Sequence, residues 1–95
     1  MDKTEAKKIL SEQIKKLRRR TYSELCSYVD SKNIETPELL GESGTKYQLE
    51  IQAMWDDKPN ENLRILVSID DGGWQAFIPM TEDFIISPDG SFVGE

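Results

Sequence analysis

The sequence predicts an α+β domain: an N-terminal helix, or a broken helix pair, packed on one face of a three-stranded antiparallel β-meander, with a short C-terminal turn segment. Three observations carry this. Residues 3–30 hold apolar side chains at three- and four-residue spacing. Residues 45–55, 63–69 and 74–80 each alternate with period two. Between the last two runs stands Asp70-Asp71-Gly72-Gly73, the chemistry of a tight reversal.

The helical part opens with Asp2 as a cap and Glu5 three residues on, a capping-box arrangement. Ala6, Leu10, Ile14 and Leu17 form one stripe, with Ile9 beside it, over about residues 3–19. Thr21-Tyr22-Ser23-Glu24 is a second capping box, so the helix is expected to break and restart there. Leu25, Tyr28 and Val29 then make a second stripe ending near Ser31. A single helix from 3 to 30 is the alternative, because Thr21 also falls on the continuing stripe.

Residues 32–44, with Asn33, Pro37, Gly41 and Gly44, read as a connection, with Leu39 and Leu40 packed beneath it. Tyr47, Leu49, Ile51, Ala53 and Trp55 alternate with polar residues and Met54, which gives a first strand over about 45–55. A polar loop, Asp56 to Asn62, returns the chain. Trp55 then faces Leu63, Ala53 faces Ile65 and Ile51 faces Val67, so the apolar faces coincide.

Leu63, Ile65, Val67 and Ile69 form the core face of the second strand. The third is expected over Trp74–Met80, with Trp74, Ala76, Ile78 and Met80 in phase. An Asp71-Gly72 turn pairs Ile69 with Trp74 and Leu63 with Met80. A Gly72-Gly73 turn slides the register and keeps every side chain on its face. Pro79 has no N–H, so the first register loses a ladder bond at the Arg64–Pro79 pair. Thr81-Glu82-Asp83-Phe84 reads as a capped single turn, and Ser87-Pro88-Asp89-Gly90 as a type I turn. On the second face of the sheet, Met54, Leu66 and Phe77 form an apolar group.

A chain of 95 residues is one domain, 1–95, large enough for a modest core without staples. One cysteine, Cys26, gives no intramolecular disulfide and reads as a small buried residue. The absence of histidine removes the usual near-neutral base and the usual metal ligand. No enzyme, cofactor or metal site is expected. Asp56-Asp57 and Asp70-Asp71 would stand about 23 Å apart at the ends of one strand, too far for an acid–base pair. Neither Asp-Asp-Gly-Gly nor Asp89-Gly90-Ser91 has the spacing of a calcium loop. The N-terminus lacks the apolar run of a signal peptide and no segment is long enough to span a bilayer, so a cytoplasmic location and no membrane partner are expected.

Net charge is −6 and unevenly spread. Residues 1–20 carry eight basic and three acidic side chains; the rest carries four basic and fifteen acidic. The acidic body argues against nucleic acid and suits a basic protein partner. Arg18-Arg19-Arg20, with Lys15 and Lys16, reads as a solvated helix end that favours the helix dipole. In the expected register, Asp56, Asp57 and Glu61 converge with Glu82 and Asp83 at one end of the sheet, an acidic rim able to steer a basic partner.

Ser68-Ile69-Asp70-Asp71-Gly72-Gly73 and Ser87-Pro88-Asp89-Gly90-Ser91-Phe92-Val93-Gly94-Glu95 resemble segments of small bacterial α+β proteins that are themselves similar to toxin-immunity proteins. The resemblance covers mainly residues 45–95 and carries over no catalytic residue. It implies a non-catalytic, immunity-type protein; the residues expected to engage a basic partner, Asp56, Asp57, Glu61, Glu82, Asp83, Leu66 and Phe77, follow from the expected register and alternation. Two alternatives stand beside it. One is a homo-oligomerising module, a dimer paired through a sheet edge or the Leu66–Phe77 face. The other is a small-ligand binder or enzyme, which the scattered carboxylates disfavour.

Overall fold

The structure, a computed structural model, describes residues 3–30, 37–72 and 80–95. Helix α1 runs Lys3–Arg18 and α2 runs Tyr22–Asp30. Strands β1 (Glu38–Leu40), β2 (Lys46–Trp55), β3 (Leu63–Asp70) and β4 (Met80–Ile86) form one antiparallel sheet in chain order.

The break between the helices is a capping event. The Thr21 hydroxyl oxygen accepts from the Glu24 backbone N–H at 3.1 Å, satisfying one of the donors a helix start leaves open. The Glu24 carboxylate in turn accepts from that hydroxyl at 3.2 Å. The α1 stripe of Ala6, Leu10, Ile14 and Leu17 is buried, as is Leu25 of α2. The expected cap Asp2 lies outside the described residues. The Glu5 carboxylate accepts from Ser43 and Tyr47, across in the sheet.

β2 and β3 pair in the expected register, Trp55 with Leu63, Ala53 with Ile65 and Ile51 with Val67. All four odd residues of β3 are completely buried. Both helices lie on this side, α1 over β3 and β4, α2 over β2 and β3.

Two expectations are corrected. Among the described residues the sheet has four strands, not three. Glu38–Leu40, assigned to the connection, pairs with Lys46–Gln48 as β1. Leu39 packs against the core, whereas Leu40 points outward and is 69% exposed. The other correction concerns the partner of β3, which is Met80–Ile86. Ile69 faces Met80, Ile65 faces Phe84 and Leu63 faces Ile86. Met80, expected opposite Leu63, stands opposite Ile69, and the rest of the strand expected over Trp74–Met80 falls on residues 73–79, outside the described residues. Thr81 to Phe84 is strand, not a capped turn. The physical reason is bulk. This register buries Phe84 and Ile86 against β3.

The C-terminal turn forms as expected: the Gly90 N–H donates to the Ser87 carbonyl at 2.9 Å. It returns Phe92 beside Ile86, where its ring meets Phe84 edge-on with centroids 5.7 Å apart. Arg18 stacks over Phe92 at 4.0 Å and bonds Glu95. Arg20 bonds the Tyr28 hydroxyl. The arginine cluster is thus partly engaged in packing, against the expectation of a solvated helix end. Cys26 is half-buried rather than buried, beside Tyr22.

Candidate protein-binding face

The helices leave the second face of the sheet uncovered. Alternation places the even residues of β2 and β3 and the odd residues of β4 there. Pairing sets them in rows. Gln52, Leu66 and Asp83 form one row; Met54, Arg64 and Ile85 form the next. Val93 adjoins Ile85, to whose carbonyl its N–H donates at 2.9 Å. Met54 and Val93 are exposed, and Leu66 and Ile85 are half-buried.

Arg64 organises the centre of this face. Its guanidinium donates to the Asp56 carboxylate at 2.9 Å and 3.3 Å, and from its other arm to Asp83. These two carboxylates raise its pKa above the ordinary arginine range, Asp56 contributing most. Asp83 reaches Arg64 because it stands opposite Leu66, two residues along β3 on the same face.

The expected acidic rim is therefore rearranged. Met80 lies beside Ile69, not Leu63, so β4 begins at the far end of β3 and the two acidic loops do not meet there. Asp56 and Asp83 do come together, through one arginine. Asp57 and Glu61 stay exposed in the β2–β3 loop, and the Glu61 carbonyl accepts from Tyr22 at 2.6 Å. Burial, with Cys26 adding to it, raises the Tyr22 pKa. Glu82 is exposed opposite Val67, on the helix side of the sheet rather than the open one. Leu66 sits at the centre of the open face, while Phe77 lies outside the described residues. Sequence reasoning missed Arg64 as the organiser. Its alternation onto the open face was visible, but its partners depend on the β4 register.

Polar side chains also fix the margins of the sheet. The Glu5 carboxylate accepts from the Ser43 N–H (3.0 Å), the Ser43 hydroxyl (2.6 Å) and the Tyr47 hydroxyl (2.8 Å). These bonds, Ser43 first, hold its pKa below the usual carboxylate range. Asp89 accepts from the hydroxyls of Ser87 and Ser91 and from the Ser91 N–H, which lowers its pKa to about 2. A groove of about 430 Å³ lies between α1 and β1, with Ile9, Leu39 and Leu40 among its walls and Lys8, Glu12 and Glu42 of mixed charge around it.

Among the described residues, no three acidic or cysteine side chains gather as a metal-ligand set. No helix among them is long and apolar enough to cross a membrane. No protein-family model, curated protein or solved structure matches the chain.

Proposed function

We propose that this chain is a cytoplasmic, non-catalytic protein-binding domain of the immunity type, which engages a basic partner through the open face of its sheet. The observation that carries the reading is the composition of that face. Leu66, Met54 and Ile85 supply apolar contact around a fixed Arg64, while Glu38, Glu50, Asp56, Asp70 and Asp83 outnumber Lys46 and Arg64. A desolvated apolar centre with a charged surround is the common anatomy of a protein interface. The exposed Asp57 and Glu61 extend the negative field past the sheet end, which favours encounter with a basic surface.

The arrangement does not favour an enzyme. The two carboxylates that meet, Asp56 and Asp83, are both taken up as ion-pair partners of the one Arg64 guanidinium.

The test uses the product of the adjoining gene. That product is expected to bind the purified chain and to lose its toxicity on co-expression. Leu66→Glu should weaken the complex at least tenfold while circular dichroism stays native. A neighbour that is not toxic and does not bind, or a complex indifferent to Leu66→Glu, would overturn the reading.

A further inference from the structure

The fold divides the charge of this chain between two sides. The open face of the sheet and the β2–β3 loop hold Glu38, Glu50, Asp56, Asp57, Asp70 and Asp83. Helix α1, on the other side of the sheet, carries most of the basic residues. The net charge of −6, which counted against nucleic acid, is therefore not the charge that each side presents. At about 0.1 M salt the Debye length is about 10 Å. The shortest dimension of the molecule is 19 Å. An anion resting on α1 is thus largely screened from the acidic face.

The cations concentrate at the end of α1. Lys15, Lys16 and Arg19 are exposed, and none of them pairs with a carboxylate among the described residues. Their arginine neighbours are anchored. Arg18 stacks over Phe92 at 4.0 Å and bonds Glu95, and Arg20 lies over the Tyr28 ring at 5.8 Å and bonds its hydroxyl. Arg19 is thereby fixed between two held residues. The acidic side chains near this end are Glu12, one turn earlier, Glu24, bonded by Thr21, and Asp89, bonded by Ser91. The cluster stands by Phe84 and Phe92, whereas Met80 lines a groove with Lys3, Thr4 and Lys7 at the start of the helix. On its other side, α2 carries the chain through nine further residues, about 13 Å, to Asp30.

We propose that this end of α1 binds the phosphate backbone of a nucleic-acid duplex, without regard to base sequence. A duplex carries one charge for about every 1.7 Å of its axis and releases counterions to each cation that meets a phosphate. Lys15, Lys16 and Arg19 lie within about 6 Å along the helix axis, a density of free cations that suits this anion. The Arg19 fork matches a phosphate with two parallel bonds. A lipid surface fits less well, because the apolar stripe of Ala6, Leu10, Ile14 and Leu17 is buried and leaves nothing to insert. A single strand would need free aromatic rings for stacking. The rings at hand are covered, Phe92 by Arg18 and Phe84, and Tyr28 by Arg20. The contact lies across the sheet from Leu66 and does not rest on the reading given for that face.

Fluorescence anisotropy of a labelled DNA duplex of about 20 base pairs, titrated with the full chain, reads the contact. Micromolar binding is expected at about 0.05 M salt. Three phosphate contacts give a slope of about −2.7 in log affinity against log salt, so affinity should fall about fortyfold by about 0.2 M. No binding at the lower salt, or an affinity indifferent to salt, would overturn the proposal. The triple variant Lys15→Gln, Lys16→Gln, Arg19→Gln changes only exposed side chains. It should keep native circular dichroism and bind at least tenfold more weakly, and wild-type binding by it would refute the site. If the triple variant fails to fold, Lys15→Gln alone decides, since one lost contact should reduce the slope by about 0.9. Leu66→Glu should bind the duplex as wild type does, and a comparable loss there would mean a different surface. Tighter binding of the single strand would mean stacking. Binding to phosphatidylserine vesicles without binding to the duplex would mean a lipid surface. Either result would sink the duplex assignment.

Discussion

The Tyr47 hydroxyl donates to the Glu5 carboxylate at 2.8 Å, fastening the first turn of α1 to the start of β2. Gly41 packs against this contact. A methyl group on its Cα would stand 2.8 Å from the Tyr47 ring and equally close to the Glu5 carboxyl carbon. Gly41→Ala is therefore expected to push the pair apart and to destabilise by about 1–3 kcal/mol. Tyr47→Phe removes the donor without changing the packing. It should raise the Glu5 pKa toward its ordinary value, followed by carboxyl NMR on acid titration. An unchanged Glu5 titration would remove Tyr47 from the account.

Val67→Asp tests the strand phase. Val67 is fully buried in the central strand between β2 and β4. A carboxylate there would lack partners and cost several kcal/mol, a large share of a typical total of about 5–15 kcal/mol. Thermal melting should show an unfolded or strongly weakened variant, and a wild-type Tm would contradict the core assignment.

Asp89 gives the C-terminal turn an acid limit. Its pKa falls from 3.8 to about 2 because Ser87 and Ser91 bond the charged form. A group lowered on folding adds stability that is complete above its unfolded value and lost as pH falls through its folded one. Its contribution should fade between about pH 4 and pH 2. Asp89→Asn should lower the Tm at neutral pH and bring the two melting curves together below that window. Parallel curves throughout would place the acid sensitivity elsewhere.

Arg64 divides the carboxylates into two sets with opposite outcomes. Asp57, Glu61 and Glu82 are exposed and make no ion pair among the described residues. Neutralising them together should leave the Tm unchanged and slow association with a basic partner at low salt. The difference should shrink from about 0.01 M to about 0.15 M salt, as the Debye length falls from about 30 Å to about 8 Å. Neutralising Asp56 and Asp83 instead removes the partners of Arg64 and should lower the Tm. Equal association rates at low salt for the first variant would end the steering argument.

The legible parts of the fold are those set by local chemistry. Thr21 and Glu24 announced the helix break because capping is read over four residues. Trp55 opposite Leu63 followed from alternation on both sides of one loop. β4 was not legible, since Trp74 to Met80 alternates well, whereas Glu82 breaks the apolar phase of the strand that forms. The choice depends on burying Phe84 and Ile86, which no local pattern reveals. β1 is three residues long, too short for any period to show. The candidate site inherits these limits. Asp56 in the loop after β2 and Leu66 on the open face of the sheet lie where alternation put them, but the link from Asp56 through Arg64 to Asp83 needed the β4 register.

The stacking of α1 over β3 and β4 has a consequence for the newborn chain. Helix α1 leaves the ribosome well before β4, one of the strands it packs against, and Arg18 closes on Glu95. The strands can zip in order as they emerge, each onto its predecessor, but the Ala6–Leu17 stripe has only part of its cover until Phe84 and Ile86 arrive. Synthesis thus leaves an apolar helix waiting, and a chain cut before Met80 would keep it uncovered and prone to aggregate.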